Sequence, residues 1–120
     1  MMSKKDEKLI LYEKISDLII YSKNLLNKYP KSERFDLCAD IKSKLYFVLE
    51  MIIYAIKEKD LNERYSYLRT VDATLYIIKT LIKMSFEFQY ISPKNYMVWD
   101  SHVTEIGKMV GGWMKKCQNE

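Results

Sequence analysis

The chain has 120 residues, enough for one domain around a single core. Its balance of 48% apolar to 30% charged residues excludes a disordered chain. Three glycines and two prolines are too few for a turn-rich sandwich or barrel, so the chain reads as mostly helix. Twenty basic and sixteen acidic residues leave a net charge of +4, below that of a dedicated electrostatic nucleic-acid binder but multiplied by any self-assembly.

The segment Met1 to Lys8 is polar and charged, with no apolar stretch of the signal-peptide kind. No apolar run approaches the ~18 residues of a membrane span, so no membrane partner is expected. Cys38 and Cys117 fall on apolar helical positions and form no disulfide framework; they read as reduced, buried thiols of a cytoplasmic protein.

The first predicted helix covers 6–28. Leu11, Ile15, Leu18, Ser22 and Leu25 share one seam, Asp6 and Glu7 suit the positive end of the helix dipole, and Tyr29-Pro30 stops the helix. The second covers 32–57, with Ser32 as its N-cap and Leu37, Ile41, Leu45, Val48, Ile52 and Ala55 as its apolar line. The third covers 61–89, opened by Asp60 and Glu63 as a capping box. The fourth covers 93–117, with Ser92 as N-cap and Pro93 at the first helical position. Links of roughly three to five residues force neighbouring helices to run antiparallel. The fold class is therefore all-α: an up-down-up-down four-helix bundle, one domain over 1–120.

The third helix carries three lines. Leu61, Leu68, Val71, Leu75, Ile78 and Ile82 form its core. A second apolar line, Thr74, Ile77, Leu81, Met84 and Phe88, lies beside the first and reads either as a subunit interface or as a broad stripe buried within the bundle. A third line holds Tyr65, Arg69, Asp72, Tyr76, Lys79 and Lys83. Cations interleaved with aromatic rings at helical spacing can hold phosphates and stack bases. The plainer reading of that line is a solvated face with an Arg69–Asp72 pair.

The fourth helix has the cleanest heptad: Tyr96, Trp99, Val103, Ile106, Val110, Trp113 and Cys117, spaced alternately by three and four. Gly107, Gly111 and Gly112 interrupt it, each at a cost of about 1 kcal/mol against alanine. Gly107 and Gly111 stand roughly a quarter-turn from the seam centre, where a smooth strip lets another backbone approach. They are candidate oligomer contacts.

No catalytic set emerges. A di-metal carboxylate bundle needs Glu-x-x-His on two helices, but His102 is the single histidine and Trp99 precedes it by three. Cys38, Cys117 and His102 lack zinc-ligand spacing, and no glycine-rich phosphate loop joins a strand to a helix. The chain reads as no enzyme, with no metal or other cofactor.

Two phrases go further. Tyr29-Pro30-Lys31-Ser32-Glu33-Arg34-Phe35 resembles the aromatic-Pro-Lys-Ser-x-Arg-Phe phrase of a bacterial and phage four-helix-bundle group. The phrase from Glu105 to Trp113, Glu-Ile-Gly-Lys-Met-Val-Gly-Gly-Trp, resembles that group's second signature. Together, with Leu68-Arg69 and the Glu87-to-Ser92 connection, they resemble the accessory variability protein of diversity-generating retroelements over about residues 20 to 117. That family is related to the bundle proteins encoded in intervening sequences of ribosomal RNA genes.

The resemblance implies a non-catalytic partner of a reverse transcriptase, a homo-oligomer closing as a ring of five with a basic surface. It further implies association with template RNA and cDNA during adenine-directed mutagenic copying. The matching positions for such contacts are Arg34, Arg69, Lys79, Lys83 and Lys108; the helical spacing adds Tyr76 to them and offers Gly107, Gly111, Ile77, Leu81, Met84 and Phe88 for assembly. Lys79 and Lys83 stand where family members tend towards arginine; lysine keeps the attraction for phosphate and loses the planar fork. Two alternatives stay open: a bundle protein of the ribosomal intervening-sequence type, and a plain oligomeric helical interaction module.

Overall fold

The fold follows from how four amphipathic segments share one apolar interior. A computed structural model describes residues 4–119, with side chains described for 7–119. It contains α1 (Lys4–Leu26), α2 (Leu37–Lys57), α3 (Leu61–Glu87) and α4 (Pro93–Asn119), plus a 3-10 turn at Lys31–Glu33 and no strand among the described residues. Each helix packs on its neighbours in chain order and α4 returns to α1, while among the described residues the backbones of the diagonal pairs stay apart.

Antiparallel packing is evident from which ends touch. Arg64, one turn into α3, donates from Nε to Ala55 O at 3.0 Å and from a terminal nitrogen to Glu58 O, both at the end of α2. Lys116, near the end of α4, pairs with Glu7, near the start of α1, at 2.7 Å. Phe86, at the end of α3, stacks on Tyr96, at the start of α4, with ring centroids 4.7 Å apart. The result is a rod of 46 × 27 × 19 Å.

The interior takes the predicted lines. Ile15 and Leu18 of α1, Ile41, Leu45 and Ile52 of α2, Leu68, Ile78 and Ile82 of α3, and Trp99 and Ile106 of α4 are fully buried. Burial of each such side chain contributes on the order of 1.5–3 kcal/mol. Two seam residues, Tyr96 and Trp113, are only half-buried. Leu61, placed on the core line of α3, is half-buried too, because it lies in the first turn, at the rim of the bundle.

Polar ties join α1 to α4. The buried Trp99 Nε1 donates to Ser22 Oγ at 2.8 Å, and Ser22 Oγ donates to Leu18 O at 2.6 Å. Lys14 pairs with Glu105 at 2.7 Å, and this hydrogen bond holds the Glu105 carboxyl below the usual carboxylate range. His102 tilts its ring against Tyr21 at 5.2 Å, a packing contact on this same face.

Helix boundaries and caps differ from expectation at several points. Helix α1 ends at Leu26 and not at 28, while α4 runs on to Asn119. Ser32 does not open α2: Pro30, fixed at φ −54°, leads into a 3-10 turn with Glu33 N–H on Pro30 O and Arg34 N–H on Lys31 O, so α2 begins only at Leu37. The tighter turn leaves Phe35 88% exposed. Asp60 caps α3 by accepting from Asn62 N–H at 3.0 Å, but Glu58 and not Glu63 takes the Asp60 N–H, so the reciprocal half of the capping box is absent. Helix α3 stops at Glu87, two residues early, because Gln89 turns left-handed at φ 66° and Tyr90 N–H reaches back to Ser85 O at 3.0 Å. Ser92 does cap α4, accepting from Asn95 N–H at 3.1 Å. The dipole role expected of Asp6 lies outside the described side chains.

Candidate nucleic-acid interface

The packing of α3 on α4 leaves a shallow groove of about 600 Å³ along their outer seam. Five predicted positions line it: Tyr76, Ile77 and Lys79 from α3, Gly107 and Lys108 from α4. Tyr76 sits on the outer face of α3 and is 74% exposed, a ring free to stack. Gly107 keeps the α4 wall low, since a Cβ there would meet nothing within 4 Å.

The two cations differ. Lys108 is exposed and makes no ion pair among the described residues. Lys79 is half-buried and engaged within the chain, donating to Thr104 Oγ1 at 2.8 Å and pairing with Asp100 at 3.5 Å. An ammonium held against a carboxylate attracts phosphate less than a solvated one. Asp72 also lines the groove and lowers its positive potential.

The remaining predicted cations do not converge there. Arg69 and Lys83 are exposed elsewhere on α3, and Arg69 forms no ion pair with Asp72, so the plainer reading of that face is without its pair as well. Arg34 lies between the 3-10 turn and α2, its guanidinium 6.0 Å from the Phe35 ring centroid. The turn is held to the α3–α4 connection by Tyr90 Oη donating to Glu33 Oε2 at 2.9 Å.

The second apolar line of α3 divides. Thr74 is buried and Leu81 half-buried, but Ile77, Met84 and Phe88 remain 44%, 39% and 52% exposed. The bundle's own helices cover only part of the stripe. Ile77 and Gly107, placed with assembly, share the groove with Tyr76, Lys79 and Lys108, placed with nucleic acid.

Sequence reasoning missed a second cluster, at the opposite end of the rod from the 3-10 turn. A cavity of about 310 Å³ opens between the start of α1, the start of α3 and the end of α4. Trp113 forms one wall; Arg64 and Lys8 lie 5.6 and 5.7 Å from its ring centroid. The sequence signal was Arg64 one turn beyond the link, within reach of the last carbonyls of α2.

Among the described residues, no group of three or more His, Cys, Asp or Glu side chains gathers as metal ligands do. Burial pushes the Cys38 thiol up, away from reactivity. No described helix is long and apolar enough to cross a membrane.

Over residues 9–117 the chain matches the family described as bAvd-like. No curated protein matches it.

Proposed function

The chain belongs to the bAvd-like family of accessory variability determinants, and on that premise we propose that it is a non-catalytic partner of a retroelement's reverse transcriptase, holding RNA or cDNA on a basic surface during mutagenic copying. The match over residues 9–117, nearly the whole chain, carries this reading. The α3–α4 groove supports it with an exposed ring, Tyr76, beside two cations, Lys79 and Lys108.

Self-assembly belongs to the same proposal. Ile77, Met84 and Phe88 leave apolar surface that another copy would cover. Five copies of a +4 chain in a ring carry about +20, enough to concentrate a polyanion. Arg69 and Lys83 extend the field beyond the groove.

The test is RNA retention by the full chain measured against salt. Retention should fall steeply with salt, and Lys108→Glu should flatten the slope by about one unit for each phosphate that the lysine neutralises. Affinity unchanged between low and high salt sinks the electrostatic reading. Pull-down with a reverse transcriptase of the same retroelement tests the partner, and failure of the two to associate overturns that part.

A further inference from the structure

The end cavity has the components of a nucleotide site. Its volume, about 310 Å³, lies at the small end of ligand pockets. Leu11, Leu61 and Met109 give it apolar walls, and the half-buried indole of Trp113 offers a flat one. Among the described lining residues, Lys8, Arg64, Lys108 and Lys116 are cationic and Glu7 is acidic. Glu7 is already paired with Lys116 at 2.7 Å.

Arg64 is pinned by the two carbonyls at the end of α2, which are neutral and leave its charge intact. Lys8 lies over the indole at 5.7 Å, so a planar group reaching that face of the ring takes the place of a cation already drawn to it. Lys108 lines both this cavity and the α3–α4 groove, so the two border each other at that lysine. Gly112 lines the cavity, and a Cβ there would meet nothing within 4 Å. The glycine is not required by packing within the chain; its effect is to keep the cavity open.

We propose that this cavity binds a single nucleotide, with the base stacked on Trp113 and the phosphate held by Lys108. The proposal rests on the nucleic-acid reading above and assigns a base-binding site beside the groove, across Lys108. The nucleotide is either an unstacked residue of a bound strand or a free nucleotide.

Indole fluorescence of the full chain reads the site. Trp99 is fully buried and hydrogen-bonded to Ser22, so a quencher in the cavity reports on Trp113. AMP or a short oligoadenylate should quench saturably, and ribose 5-phosphate, which lacks the base, should not. Gly112→Leu fills the cavity from its helical floor; it should abolish quenching and weaken oligoadenylate retention roughly tenfold, with helix content and melting preserved. Measured by oligoadenylate retention, since the reporter indole is gone, Trp113→Phe should retain binding that Trp113→Leu loses. Quenching by AMP as strong as by the oligomer assigns the site to free nucleotides; quenching by the oligomer alone assigns it to a strand. Equal quenching by ribose 5-phosphate, equal displacement by polyglutamate, or unaltered binding by a folded Gly112→Leu chain overturns the proposal. If Gly112→Leu changes nothing while RNA retention stays salt-dependent, the cavity is refuted and the groove reading stands. If RNA is not retained at all, the groove reading fails and AMP quenching alone decides the cavity.

Discussion

Trp99 Nε1 donates to Ser22 Oγ across 2.8 Å where the end of α1 meets the start of α4, with both side chains fully buried. An indole N–H in an apolar core must find an acceptor, and a serine on the α1 core seam provides one. Ser22→Ala leaves that donor orphaned and should cost about 1–3 kcal/mol of stability in denaturant unfolding. Thr74→Val is the contrast: Thr74 Oγ1 donates to Thr70 O within its own helix at 2.8 Å, so its removal should cost less. Equal effects of the two variants would show that the cross-helix bond contributes nothing of its own.

Tyr29 presents the opposite situation. Its ring is buried against Tyr90 at 5.3 Å, but its hydroxyl makes no well-formed hydrogen bond, with the Ser85 hydroxyl as a nearby polar group, and burial pushes its pKa from 10.0 up to about 12. A phenol whose folded pKa is raised stabilises the fold below pH 10, where both states keep the proton. Between about pH 10 and 12 the unfolded chain loses that proton first, so stability falls as pH rises. The full difference is on the order of 2–3 kcal/mol. Tyr29→Phe should therefore match or exceed the parent's stability at neutral pH and lose less of it between pH 10 and 12. A steeper alkaline loss in the variant contradicts this account.

How far the sequence foretold these features depends on their range. The seam of α4 and the core line of α2 are period effects, and Trp99, Val103, Ile106 and Val110 are buried as their spacing requires. Ser22 was placed on a core seam by the same spacing, but its partner lies 77 residues away and no local pattern names it. Helix ends proved harder where backbone geometry overrode side-chain signals. Ser32 looks like an N-cap, yet the turn after Pro30 is 3-10, and Gln89 takes a left-handed conformation usually reserved for glycine or asparagine. In the candidate site, the wheel put Tyr76 and Lys79 on one face but could not bring Lys108 to it. It also gave no hint that Asp100 would engage Lys79.

That last pair makes a prediction about binding. Lys79 and Asp100 stand 3.5 Å apart with side chains about one-third exposed, a geometry worth roughly 0.2–1 kcal/mol. Asp100→Asn releases the ammonium and removes a negative charge from the groove. RNA retention at low salt should tighten about 1.5- to 5-fold, and the gain should vanish in the double variant with Lys79→Ala. A tightening that survives Lys79→Ala would assign the effect to general charge and not to this pair.

The glycines of α4 and the exposed line of α3 make the final prediction, about assembly. A Cβ at Gly111 would meet nothing within 4 Å, so Gly111→Ala should raise the helix's stability by up to about 1 kcal/mol without disturbing the bundle. A larger side chain should be tolerated equally well by the isolated chain and can do harm only where another surface comes close. Gly111→Leu should therefore keep its helix content and alter the mass measured by light scattering. Met84→Glu with Phe88→Glu should do the same from α3, because charges on 39% and 52% exposed positions cost an isolated bundle little and a buried interface much. Gly107→Leu, on the groove wall, should affect both mass and RNA retention if assembly and binding share that surface. Should all three variants scatter as the parent does, neither the strip nor the stripe joins the copies, and the exposed apolar surface must face a different protein.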